Sequence, residues 1–221
     1  MLIDFHAHLH QAEGYGEALA ATAKSLGVDR LCIMGGESRY GLAPNAEVLS
    51  QASHYPGLFV PFARVELGRD GPTTVERLRR VGFAGLCVWA PPAPYDEESF
   101  FPLYAAAEDL DMPVVFHTGF LPRTPMDRSL RVRAANMRPV YLDTIARCFP
   151  RLIVVGVGLG YPWCEEAAEV LRHHENVFFD LSGDVLRRRS ADYFGSIFRS
   201  NQSALWEADV AGDLWGRIVF G

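Results

Sequence analysis

The sequence predicts an eight-stranded (β/α)8 barrel of the TIM type, and three observations predict it. Short β-rich apolar runs begin near Leu2, Asp29, Leu58, Phe83, Met112, Leu152, Asn176 and Arg217. Their start-to-start intervals are 27, 29, 25, 29, 40, 24 and 41 residues, averaging about 31, the size of one strand-helix-strand unit. Helical patterns fill the intervals, and strands joined by helices run parallel, so eight in succession close on themselves.

The helices between strands each need one apolar face. Leu19, Ala23 and Leu26 repeat at positions 0, 4 and 7, and Cys164, Ala168 and Leu171 do the same. Thr73 followed by Glu76 reads as a capping box, Pro162 stands where a helix can begin, and Gly27, Gly57 and Gly82 follow helical or turn segments. Irregular stretches fall at 91–94, 121–137 and 182–201, and the last two supply most of the extra length in the longest intervals. Loops after strands are where barrels of this type build substrate sites. No linker divides the chain, so residues 1–221 read as a single barrel domain, truncated at its C-terminus: an eighth helix should follow the last strand, and the sequence stops at Gly221. Outward-facing Ile3 and Phe5 would then be uncovered, and a longer gene product, or a second copy in a homo-oligomer, is expected to cover them.

Composition narrows the chemistry. The chain has 221 residues, 49% of them hydrophobic, and 21 basic against 27 acidic side chains give a net charge of −6. The basic residues are scattered, which disfavours nucleic acid and anionic lipid as partners and leaves a small-molecule substrate. No apolar run approaches the roughly 20 residues of a membrane helix, and three histidines within residues 1–10 are incompatible with a signal peptide, so a cytoplasmic location is expected. Cys32, Cys87, Cys148 and Cys164 are too far apart for a small disulfide framework or a structural zinc site. Lys24 is the only lysine, which disfavours Schiff-base, pyridoxal-phosphate and lysine-carbamate chemistry.

The opening strand carries the strongest chemical signal. Period-two alternation in Ile3-Asp4-Phe5-His6-Ala7-His8 predicts Asp4, His6 and His8 facing the barrel axis, with Ile3, Phe5 and Ala7 facing the helices. Two imidazoles about 7 Å apart on one face of a strand end can converge on a cation. His117 ends the fifth run, across the barrel from the first, and brings a third nitrogen; three nitrogens with an open position make a catalytic zinc arrangement. Glu37, Arg39, Arg64, Trp89, Arg123 and Asp127 stand at strand ends or in the following loops, where Arg39, Arg64, Trp89 and Arg123 are candidates for holding a substrate carboxylate, although for each alone a solvated loop charge or interhelix salt bridge is the commoner reading. Asp180 reads as a turn cap. Cys164 opens a helix, but Glu165 and Glu166 oppose its ionisation. His10, His54, His173 and His174 read as loop or surface residues.

Five segments resemble the amidohydrolase superfamily, in the branch holding aminocarboxymuconate semialdehyde decarboxylase, aromatic-acid decarboxylases and lactone hydrolases. They are Ile3 to His8, Pro113-Val114-Val115-Phe116-His117-Thr118-Gly119, Arg138 to Asp143 through Phe149-Pro150-Arg151-Leu152, Asn176 to Gly183, and Arg217-Ile218-Val219-Phe220-Gly221. The resemblance implies a (β/α)8 barrel with one divalent metal ion, zinc first, held by His6, His8 and His117. Two departures stand out. Gly158 occupies the place of the family's strand-six histidine, a loss that typically costs on the order of 10² to 10³ in turnover. The aspartate that follows the family's last strand lies beyond Gly221.

Gly156, Gly158 and Gly160 suggest a nucleotide fingerprint, but Tyr161 stands where its last glycine is needed. The other reading is that these glycines widen a pocket. Three functions follow: a metal-dependent hydrolase of a small, carboxylated cyclic or aromatic compound acting through metal-activated water, a non-oxidative decarboxylase on the same site, or a degenerate barrel that binds without turnover. Metal-dependent nucleases fit less well, since Gly85-Leu86-Cys87-Val88-Trp89 lacks their glutamate. No residue is assigned as catalytic acid or base from sequence.

Overall fold

A computed structural model describes residues 1–36, 38–123, 132–199 and 214–221. Eight strands are found: β1 (Ile3–His8), β2 (Arg30–Met34), β3 (Phe59–Arg64), β4 (Gly85–Val88), β5 (Val114–His117), β6 (Val154–Val157), β7 (Val177–Asp180) and β8 (Ile218–Val219). All pair in parallel, in the order of the chain. The Phe5 N–H donates to the Phe220 carbonyl at 2.7 Å, which ties β1 to the segment after β8 and nearly closes the barrel. Seven α-helices lie among the described residues: α1 (Tyr15–Ser25), α2 (Asn45–His54), α3 (Pro72–Val81), α4 (Phe101–Asp109), α5 (Tyr141–Cys148), α6 (Cys164–His173) and α7 (Ala191–Arg199). None of the described helices is long and apolar enough to cross a membrane.

Two apolar layers follow from strand alternation. The outer layer joins one set of strand residues, among them Leu31, Ile33, Leu86, Val114, Phe116, Val154, Val177 and Phe179, to the inward faces of the helices. The inner one, with Cys32, Met34, Phe62, Cys87, Val115, Val155 and Val157 at its centre and Ile3, Phe5, Phe178 and Val219 against it, takes residues from all eight strands and from no helix. It is the filled interior of the barrel. Burial pushes the Cys32 and Cys87 thiols up to about 12, so both remain protonated core groups.

The structure corrects the reading of β1. Ile3 and Phe5 point into the barrel, with the Phe5 ring edge-on to Phe62 at 5.5 Å, whereas Ala7 packs in the outer layer. The cause is a break in alternation: pairing with β2 slips between Asp4 and Ala7. The inner face therefore changes from odd to even positions before the histidines, and the Asp4 carboxylate accepts the His6 backbone N–H at 3.0 Å.

Other expectations are adjusted as well. Gly71 caps α3 and Pro72 occupies its first turn, with no side-chain cap, so Thr73 and Glu76 form no capping box. In α1 the buried stripe is Gly16, Ala20 and Ala23, and Leu26 lies past the helix end, 70% exposed. The stretch read as irregular over 182–201 contains α7. His174 is buried, with Nε2 2.6 Å from the Asp143 carboxylate rather than in solvent.

Candidate active site

His6, His8, Arg64, Trp89, His117 and Asp180 stand at or just after the C-terminal ends of their strands. The slip in β1 allows His6 and His8, two apart, to enter the same mouth, and their Nε2 atoms face each other at 3.1 Å with ring planes 73° apart. His117, on the opposite side at the end of β5, is held through its backbone: the Tyr95 hydroxyl donates to its carbonyl at 2.8 Å, and the Tyr104 hydroxyl donates to the Tyr95 carbonyl at 2.9 Å. His117 Nε2 and His8 Nδ1 are buried without hydrogen-bond partners.

Asp180, at the end of β7, is completely buried. Its Oδ1 accepts the Gly158 N–H at 2.6 Å, the Ser182 N–H at 3.0 Å and the Ser182 hydroxyl at 2.7 Å, and its Oδ2 lies 3.0 Å from His6 Nδ1. Burial alone would raise this carboxyl, but the contacts with His6, Ser182 and Gly158 outweigh it and hold the group below the usual carboxylate range. The turn-cap role read from sequence is present. The partnership with His6 went unread, although a lone acid at a strand end with a serine two residues on is its visible trace.

Burial, then the neighbouring imidazoles His6 and His117, pushes His8 down to about 3; burial, then His6, pushes His117 down to about 4. Both are therefore neutral at pH 7, the form that ligates metals. In the unfolded chain these groups titrate near 6.5, so as pH falls from 7 toward 4 the unfolded state binds protons the folded state refuses. Metal-stripped protein is thus expected to lose stability across that window. Urea unfolding at pH 7.5 and 5 checks this, and equal midpoints would contradict the burial of both rings.

The donor set can be tested against a cation. Two zinc-bound nitrogens at about 2.0–2.1 Å in tetrahedral geometry stand roughly 3.3 Å apart, close to the His6–His8 separation, and the unpartnered His117 Nε2 is a further donor in need of company. Among the described residues no three His, Cys, Asp or Glu side chains are grouped as a finished cage. The residues fit as a pair with a nearby third imidazole.

Trp89, after β4, is buried, its indole N–H has no partner, and its ring centre lies 6.0 Å from that of His8. The Arg64 guanidinium sits 5.0 Å from the Trp89 ring centre, with Nη1 2.8 Å from Glu66 Oε1. Arg64 and Trp89 are thus brought to the histidines, whereas Arg123 lies exposed in the loop after β5. Arg39 is in the short turn Ser38–Tyr40, with a side chain outside the described residues, as are Glu37 and Asp127.

The glycines of 156–160 do not form a wide pocket. A Cβ on Gly156 would stand 2.1 Å from the Phe179 ring, and one on Gly160 would stand 2.0 Å from Pro139, so their space is already filled. Only at Gly158 is the nearest atom as far as 3.3 Å, the Ser182 carbonyl. Its φ of 68° lies in the left-handed region, which disfavours any L-side chain, and its N–H is bound by Asp180 rather than free for a phosphate.

A family model described as Amidohydrolase (Amidohydro_2) matches residues 3–221. The chain belongs to this amidohydrolase family. No curated protein matches it. Among solved structures, an uncharacterized TIM-barrel protein from Bordetella bronchiseptica superposes with a TM-score of 0.69 at 23% identity, over 93% of this chain and 68% of that one. A probable 2-pyrone-4,6-dicarboxylic acid hydrolase from Acinetobacter baumannii, with citric acid bound, gives 0.64 at 14% identity over 100% and 82%. The 2,6-dihydroxybenzoate decarboxylase from Rhizobium gives 0.57 at 16% identity over 83% and 81%. At such identities these likenesses establish the (β/α)8 fold, in agreement with the eight parallel strands.

Proposed function

We propose that this amidohydrolase-family chain is a metal-dependent hydrolase of a small, carboxylated cyclic or aromatic compound. The observation that carries the reading is the facing His6–His8 nitrogen pair at a barrel mouth, with the unpartnered His117 Nε2 nearby. His6, His8 and His117 are the residues that hold the ion, zinc being first among the candidates. When bound, such a cation supplies Lewis acidity for a scissile carbonyl and acidifies a water. The chain's own groups do the rest. Asp180 braces the His6 ring, Trp89 and Arg64 form the wall beside His8, and the free indole N–H is a donor for a substrate oxygen.

A specific observation favours a carboxy-lyase as the second reading. A hydrolase needs a proton acceptor; among the described strand-end residues, Asp180 has Oδ1 taken by Gly158 and Ser182 and Oδ2 buried 3.0 Å from His6 Nδ1, and Gly158 carries no imidazole. One experiment separates the two. Metal-loaded protein is assayed for ring opening of carboxylated lactones and, in parallel, for carbon dioxide release from hydroxybenzoic acids. Opening without gas release supports the hydrolase, the reverse supports the lyase, and neither activity from a folded protein that takes up no metal supports a binding barrel.

A further inference from the structure

We propose that Asp180 is the positioning residue of the site: it fixes His6 in the tautomer with the proton on Nδ1 and so turns a bare Nε2 toward His8. The consequence for metal affinity rests on the metal-dependent reading above, whereas the tautomer itself does not. The argument begins with the carboxylate. Asp180 Oδ1 is saturated by the Gly158 N–H and by the N–H and hydroxyl of Ser182, so the orientation of the whole group is set by backbone from two strand ends. Its other oxygen, Oδ2, is buried, makes no well-aligned hydrogen bond, and stands in ion-pair contact 3.0 Å from His6 Nδ1.

An ionised carboxylate only accepts hydrogen bonds, so the nitrogen facing it must carry the proton. A neutral imidazole has one N–H, which leaves the lone pair on Nε2, the atom 3.1 Å from His8 Nε2. The Ser182 hydroxyl, 3.3 Å from the same Nδ1, acts in the same sense: its proton is directed to Asp180, so its oxygen is left to accept from Nδ1–H. His8 contrasts with this. Its Nδ1 is buried without a well-aligned hydrogen bond. The left-handed turn at Gly158 is part of the same device, since it aims the N–H that holds Asp180.

Asp180→Asn tests this with almost no change of volume. The amide oxygen can keep the three donors at Oδ1, which places the NH2 where Oδ2 was. That donor favours a bare Nδ1 and moves the His6 proton to Nε2. Long-range 15N–1H NMR on metal-free protein reads the tautomer directly, a Tm confirms folding, and a cobalt or zinc titration reads affinity. Expected are Nδ1–H in the wild type, Nε2–H in Asp180→Asn, and a loss of roughly 10- to 100-fold in metal affinity with a folded protein. Nε2–H in the wild type overturns the proposal without recourse to any variant, as does an unchanged tautomer or an unchanged affinity in Asp180→Asn. A wild type that takes up no metal defeats the functional reading instead, and the NMR result still decides the role of Asp180.

Discussion

His8→Ala is expected to lower divalent-metal affinity by roughly 10² to 10⁴ and turnover by a similar factor, while the protein stays folded. The magnitude follows from the several kcal/mol that a bound cation supplies to a reacting carbonyl, at about 1.4 kcal/mol per factor of ten. His8 is the sharper choice of the facing pair, since removing it leaves the Asp180–His6 contact in place and isolates the loss of a donor. Two controls frame the result. His54 sits exposed at the end of α2, and His54→Ala should change neither quantity. His174 is buried against Asp143, so His174→Ala should cost stability and leave metal affinity alone. Isothermal titration with zinc and manganese, with thermal unfolding on the same samples, checks all three. Wild-type affinity in His8→Ala would falsify the assignment of the facing nitrogens as a cation site.

The barrel was legible because its signal is repetitive. Eight apolar runs at a near-constant spacing overdetermine the parallel order, and all eight starts fall within two residues of the observed strands. The slip in β1 was not legible, because alternation assumes an unbroken pleat and nothing in Ile3-Asp4-Phe5-His6 marks where pairing with β2 shifts. The histidines enter the mouth as expected, and the Asp4 carboxylate is bound to the His6 backbone N–H of its own strand. The role of Asp180 was hidden for a different reason. Its contact with His6 joins β7 to β1, 174 residues apart in sequence, and exists only once the barrel closes. Glycine positions were misread because sequence shows the missing side chain and conceals its neighbour, here Phe179 for Gly156 and Pro139 for Gly160. Capping failed at Thr73 because Pro72 is already suited to the first helical turn, which moves the cap to Gly71.

Phe116→Ala is expected to destabilise the fold by about 3–5 kcal/mol and to lower Tm by roughly 6–20 °C. Phe116 is fully buried in β5, facing the outer layer, with Tyr95 edge-on at 5.0 Å and Tyr104 at 5.7 Å. Truncation removes one wall of a cluster that cannot collapse easily, because both tyrosines are tethered by their hydroxyls, Tyr95 to the His117 carbonyl and Tyr104 to the Tyr95 carbonyl. Stability and site geometry are therefore coupled here: the ring that fills the layer behind β5 also braces the tyrosine that holds the backbone of His117. A milder variant separates the two effects. Tyr95→Phe keeps the ring and loses the hydroxyl's bond to His117 together with its longer 3.4 Å contact to the Val88 carbonyl, at a cost of about 1–2 kcal/mol, and should weaken metal binding out of proportion to its effect on Tm. Phe120→Ala is the surface control: that ring is 65% exposed, stacked on Trp163, and its removal should stay within about 0.5 kcal/mol. Urea denaturation of the three variants orders them, and a Phe116→Ala midpoint equal to that of Phe120→Ala would mean that the layer between β5 and α4 is not packed as described.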